Sequence, residues 1–189
     1  MRLILFNILF ILFIKLSAQR ALGIYATAND FIQGRLSYES TKQNPFRIKL
    51  HELFNKSYIT VKTKTSRIVL SKDSVFGYKD NQGVVYRYFK HQKYILLNPS
   101  EEILLYKQEL KVGEAKYRQV AVFYFFSEKA GSPILPLSIL NLETCFQNNK
   151  RFTEFLEIYF KNDLELSEYD YNHNMYKLNR LFELSTKSE

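Results

Sequence analysis

Few residues in this chain of 189 are of a type and spacing that could do chemistry. The best placed are Asp170 and His173. Three residues apart, they can share one end of a helix, where a carboxylate orients an imidazole as a base or as a metal ligand. The same spacing has a structural reading, in which Asp170 is a natural helix N-cap and His173 lies in the first turn. The structural reading is the stronger, because a metal site needs further ligands that the sequence does not offer. Tyr169 and Tyr176 flank the pair and complete the candidate site.

The other reactive types are poorly placed. His51-Glu52 lacks the second histidine of the zinc-binding spacing His-Glu-x-x-His. His91 stands alone. There is no Gly-x-Ser-x-Gly nucleophile turn and no glycine-rich phosphate loop. Cys145, the single cysteine, lies beside the apolar stripe of an expected helix and reads as a packing residue with a slowly reactive thiol. With one cysteine no internal disulfide can form. The sequence therefore predicts no catalytic residue, no cofactor and no metal.

The N-terminus bears on where the chain works. Met1-Arg2 precede an apolar run from Leu3 to Ile14, followed by Lys-Leu-Ser-Ala-Gln. This is the three-part order of a secretory signal, expected over residues 1–19 with cleavage near Gln19. The apolar run is shorter than the roughly 20 residues a membrane-spanning helix needs. The remaining residues, 20–189, suffice for one domain, and no later apolar run approaches membrane length. The formal charge of the whole chain is +8, unevenly spread. Residues 20–134 hold 19 basic and 10 acidic side chains, and residues 135–189 hold 6 basic and 9 acidic. Scattered lysines fit solvated strand faces and guarded edges better than a nucleic-acid surface, and export argues against nucleic acid as a partner. The 14 Tyr and 16 Phe read mainly as strand and core material.

The elements that must position these residues follow from periodicity. Thr27 with Asp30 is a capping-box start for a short helix over about 28–33, with Phe31 and Ile32 facing inward and Gly34 as its stop. Short strands are expected over 46–53, 58–63, 67–70, 75–78, 84–90, 94–97, 103–109 and 117–127. Turn residues such as Asp80-Asn-Gln-Gly83 separate them. Val120 to Phe126 is apolar on both faces and is expected to be a central strand. After Ala130-Gly-Ser-Pro133 the pattern becomes helical. One helix is capped by Ser138, a second starts near Lys150, and a third follows Asp170 with Met175, Leu178, Leu181 and Phe182 on one stripe. The expected fold is α+β: an antiparallel meander or partly closed barrel, with two or three C-terminal helices (about 138–184) packed on it in a single domain.

The segment Asn162-Asp-Leu-Glu-Leu-Ser-Glu-Tyr-Asp-Tyr-Asn-His-Asn-Met-Tyr-Lys-Leu-Asn-Arg-Leu181 resembles the C-terminal signature of small exported proteins of unknown function from Gram-negative bacteria. Tyr169, Asp170, His173, Met175, Tyr176, Lys177 and Asn179 carry the likeness. Gly23-Ile-Tyr-Ala-Thr-Ala-Asn-Asp-Phe31 and Leu70-Ser-Lys-Asp-Ser-Val-Phe-Gly-Tyr78 are similar to stretches of the same proteins. The resemblance implies export to the periplasm or cell exterior and one shared domain, and it brings no catalytic motif. The first functional expectation is a non-enzymatic exported module that binds an envelope protein or glycan. The alternative is a carrier of an apolar ligand between sheet and helices, and a hydrolase using Asp170 and His173 comes last.

Overall fold

The structure, a computed structural model, describes residues 22–54, 56–112 and 119–187. The expected signal segment 1–19 lies outside them. In chain order the elements are β1 (Gly23–Tyr25), α1 (Ala28–Ile32), β2 (Tyr38–Glu39), β3 (Arg47–Lys49), β4 (Tyr58–Lys62), β5 (Arg67–Ser71), β6 (Gly77–Lys79), β7 (Val85–Phe89), β8 (Gln92–Leu96), β9 (Leu104–Val112), β10 (Gln119–Ser127) and β11 (Leu135–Pro136). Then come α2 (Ile139–Cys145), α3 (Lys150–Tyr159), β12 (Tyr169–Asp170), β13 (Met175–Tyr176) and α4 (Lys177–Thr186).

The fold is α+β. β6 to β11 form an antiparallel meander, and β1 and then β2 extend it past β6 into an open eight-stranded sheet. Strands β3, β4 and β5 make a separate antiparallel sheet of three, and β12 pairs only with β13. The open sheet settles the choice between meander and partial barrel in favour of the meander.

Local chemistry explains the joints. At α1 the Thr27 hydroxyl accepts the Asp30 N–H at 3.0 Å, and the Asp30 carboxylate accepts the Thr27 N–H at 3.2 Å. At the β6–β7 turn the Asp80 carboxylate accepts the N–H groups of Gln82 and Val84 at 2.9 Å each, while Gly83 takes a φ of 88° that suits glycine. The β1–β6–β7 region is closely spaced, and a Cβ at Gly77 would overlap the Tyr86 carbonyl. That close approach accompanies the stacking of Tyr78 on Tyr86, with ring centroids 4.6 Å apart.

Strand register fixes which side chains share a face. Tyr86 lies opposite Ile95, and Ile95 opposite Lys107. Leu105 lies two residues before Lys107, so all four share one face. That face has two separate covers. The three-stranded sheet packs Phe46, Ile59 and Val61 against Ile24, Tyr78 and Tyr88 at one end. Helices α2, α3 and α4 pack Leu142, Phe152, Leu156, Leu178 and Phe182 against Ile103, Leu105 and Phe126 at the other. Each such buried side chain is worth about 1.5–3 kcal/mol. The opposite face of the sheet is covered by Phe31 of α1 with Ala130 and Ile134, packed on Phe76, Leu96 and Tyr106.

Inside that opposite layer Arg87 is only 4% exposed. Its guanidinium donates to the Tyr106 hydroxyl (2.7 Å), the Ser127 hydroxyl (3.0 Å) and the Ser132 carbonyl (2.6 Å), and it lies 5.1 Å from the centre of the Phe76 ring. No carboxylate among the described residues pairs with it. Neutral acceptors and ring faces compensate the buried charge and tie the 128–134 connection to the sheet.

Four expectations are corrected. Ile32 is 68% exposed rather than inward-facing, because α1 ends after five residues and buries only the Phe31 side of its single turn. The expected strand 46–53 stops at Lys49 and gives way to a short 3₁₀ turn over Glu52–Phe54. The third C-terminal helix starts at Lys177 rather than just after Asp170. Val120 to Phe126 is a near-edge strand: beyond it lies only β11, which meets it at Phe125 and Phe126. Apolar character on two faces signalled burial, but the far end of β9 and β10 runs past both covers.

Candidate functional site

The structure brings Asp170 and His173 together, though not on a helix. They close the turn of the β12–β13 hairpin, where Tyr169 lies opposite Tyr176 and Asp170 opposite Met175. Asp170 Oδ1 accepts the backbone N–H groups of Asn172 (3.0 Å) and His173 (3.2 Å), the local bonding for which aspartate is favoured in turns. Its Oδ2 lies 2.9 Å from His173 Nδ1 and accepts from Arg180 of α4 at 2.8 Å. Burial works to raise the Asp170 pKa, but the hydrogen bonds from Arg180 and His173 outweigh it and hold the carboxyl below the usual range. Both carboxylate oxygens are thus committed to fixing the hairpin and pinning it to α4. Tyr169 packs edge-on against Tyr171 and Tyr176 at 5.1 and 5.3 Å, and Tyr176 continues into the helical core. Among the described residues no cluster of three His, Cys, Asp or Glu side chains could hold a metal ion.

A different cluster, not anticipated from the sequence, occupies the gap between the two covers. There the sheet face is bare, and a cleft of about 470 Å³ opens over β7, β8 and β9. Lys72, just after β5, forms one wall, and Tyr88, Lys93 and Lys107 rise from the floor. Lys72 is 4% exposed. Burial pushes its pKa down, an effect that the negative charge of Glu52 partly offsets. Its ammonium lies 5.6 Å from the centre of the Tyr88 ring. No hydrogen bond or ion pair to another described side chain engages it.

The neighbouring cations differ. Lys93 is ion-paired with Glu52, and Lys107 lies 2.7 Å from Glu109. Tyr88 is buried, and its hydroxyl has no hydrogen-bond partner among the described residues. Burial and the nearby Glu52 carboxylate both drive its pKa up, so the phenol keeps its proton.

The rim of the cleft is conformationally unusual. Phe89 pairs with Gln92, so Lys90 and His91 are the whole loop, with φ of 48° and 63°. Two-residue hairpin loops of this hand favour Asn or Gly at both positions; Lys and His pay strain there. Asp73, next to Lys72, holds the loop: its carboxylate accepts the His91 N–H at 3.1 Å and lies 2.9 Å from His91 Nδ1. The stretch Ser71-Lys-Asp-Ser74 thus supplies both the buried lysine and the rim clamp. Nothing in its local pattern marked Lys72 as buried, because polar residues between two strands read as a solvent-exposed connection.

A third surface is the far end of the β9–β10 hairpin. The Leu137 N–H donates to the Tyr124 carbonyl, so Tyr124 turns its backbone groups away from β9. By the two-residue strand period, Val122 and Val120 do the same, and no described strand covers them. Val120 is 61% exposed, and Val122 and Phe123 are 44% exposed. No helix among the described residues is long and apolar enough to cross a membrane. No family model, no curated protein and no solved structure matches this chain.

Proposed function

We propose that this chain is an exported, non-enzymatic module that binds an extended segment of a partner polypeptide along the open edge of β10. The observation that carries the reading is the edge itself: outward-facing backbone groups at Val120 and Val122, with Val120, Val122 and Phe123 exposed beside them. Sheet edges of this kind are ordinarily shortened, charged or covered. An added strand satisfies the backbone groups while its alternate side chains meet the exposed apolar ones. The excess of basic side chains over residues 20–134 favours a partner segment with acidic flanks. The signal-like N-terminus supports an envelope partner.

The test is site-specific photo-crosslinking in the native host, with p-benzoylphenylalanine in place of Val122 and, as a control, in place of the exposed Lys62. The expected result is one discrete adduct from position 122 only, mapped to an extended segment of a second protein and lost when Val120 is changed to Pro. Adducts joining two copies of this chain would replace the reading with self-pairing. Equal labelling from both positions would end it.

A further inference from the structure

Independently of the β10 edge, we propose that the cleft between the two covers of the sheet is a binding site for an oxyanion group bearing a single negative charge, held by Lys72 and Tyr88. Three observations converge on it. The first is the number of cations without a partner. Glu52 and Glu109, which also line the cleft, are ion-paired with Lys93 and Lys107. Lys72 feels the Glu52 charge but makes no ion pair among the described residues, so the cleft's three lysines outnumber its two carboxylates by one. A ligand with one negative charge balances the site. A dianion would overcharge it.

The second observation is the donor chemistry. An ammonium offers hydrogen-bond donors only. The protonated Tyr88 phenol is a buried donor with no acceptor among the described residues. An unmet buried hydroxyl costs stability, and an oxyanion supplies the acceptor that both groups lack, in charge-assisted bonds. The third is size and walls. The cleft of about 470 Å³ exceeds what a bare inorganic ion fills, so the anionic group belongs to a larger small molecule. Besides the lysines and their partners Glu52 and Glu109, the cleft is lined by the amides of Gln92 and Gln108 and the aliphatic side chains of Ile95 and Leu110. The strained Lys90–His91 loop, clamped by Asp73, keeps the rim in place. A carboxylate and a phosphate monoanion share this recognition chemistry, and the experiment separates them.

The full mature chain, isotopically labelled, is titrated at constant ionic strength with inorganic phosphate at pH 6, where the monoanion predominates, and separately with acetate. Backbone amide shifts are followed by NMR. The expected result is saturable shifts confined to the surroundings of Lys72, Tyr88 and Lys93 with at least one anion. The stronger of the two identifies the ligand class. Lys72→Met should weaken binding about tenfold or more, and Tyr88→Phe by a smaller factor. Lys62→Met on the three-stranded sheet should change nothing. Tyr88→Phe deletes only an unpartnered hydroxyl and should fold, so it decides the matter if Lys72→Met does not. No saturable shifts with either anion, or shifts that survive both substitutions, would overturn the site. Neither result bears on the β10 edge, which Lys72 and Tyr88 do not touch.

Discussion

Asn179 and Ile103, 76 residues apart, are joined by a two-point amide clasp. The Asn179 side-chain oxygen accepts the Ile103 N–H at 2.8 Å, and its side-chain NH₂ donates to the Ile103 carbonyl at 2.9 Å. Asn179 is 1% exposed. Ile103 stands just before β9, so the last helix treats the sheet as a further strand would, with one side chain imitating a peptide unit. Asn98 takes part from the other side, donating to the same carbonyl at 2.8 Å and accepting the Leu105 N–H at 2.6 Å.

The clasp predicts a large effect from a small change. Asn179→Ala removes two hydrogen bonds and leaves a buried N–H without its acceptor, for a loss of about 2–4 kcal/mol. Urea unfolding of the two proteins measures it. Asn179→Asp should also destabilise at neutral pH, since a carboxylate cannot donate to the Ile103 carbonyl. A loss below about 0.5 kcal/mol for both variants would mean that the contact contributes little.

Truncation tests whether the helices belong to the same cooperative unit. Ile103, Leu105 and Phe126 of the sheet share one buried cluster with Leu142, Phe152, Leu156, Leu178 and Phe182. A chain ending at Ser132 uncovers that sheet face and removes the Asn179 clasp. It should be insoluble or show no cooperative thermal transition. A transition with the midpoint of the chain that keeps its helices would make them an independent appendage.

Acid sensitivity should trace to Asp30. Hydrogen bonds from Arg35, Thr27 and Ser37 hold its carboxyl well below the usual carboxylate range. A group whose folded pKa is depressed contributes stability above its unfolded value, near pH 4, and loses it as pH falls through the folded value. The thermal midpoint should therefore drop between pH 5 and pH 2, and Asp30→Asn should lower the midpoint at pH 7 while flattening that drop. Parallel curves for the two proteins would show that Asp30 does not control the acid limb.

Cys145 should react slowly with thiol reagents. It ends α2, half-buried beside the helical core, and burial followed by the nearby Glu128 charge pushes its pKa up. At pH 7.5 its labelling should be slower than that of the unfolded chain in urea, where the thiolate is more abundant and more accessible. Equal rates in the two states would place the thiol in open solvent.

How far the sequence carried depended on whether a feature was local. The capping box at Thr27 and Asp30, the Ser138 cap and the Asp80–Gly83 turn are written in neighbouring residues, and the structure shows each of them. The strand at Tyr58–Lys62 also forms, but Thr60, on the other face, is as buried as Ile59 and Val61. Hydrophobic periodicity gave the α+β class and most strand positions for the same reason. Asp170 and His173 were legible as a pair three residues apart, but the Arg180 guanidinium that shares Asp170 turned them from a helix start into a pinned hairpin. What periodicity cannot hold is which face of an apolar strand meets a cover. Val120 to Phe123 carry core-like side chains on a stretch that the helices and the small sheet do not reach. Lys72 carries a solvent-like side chain in a connection that lies over the Tyr88 ring and is buried there. Burial is a property of pairs of distant segments. The division of one sheet face between two covers, with a lysine-walled gap left between them, was decided only when those segments met.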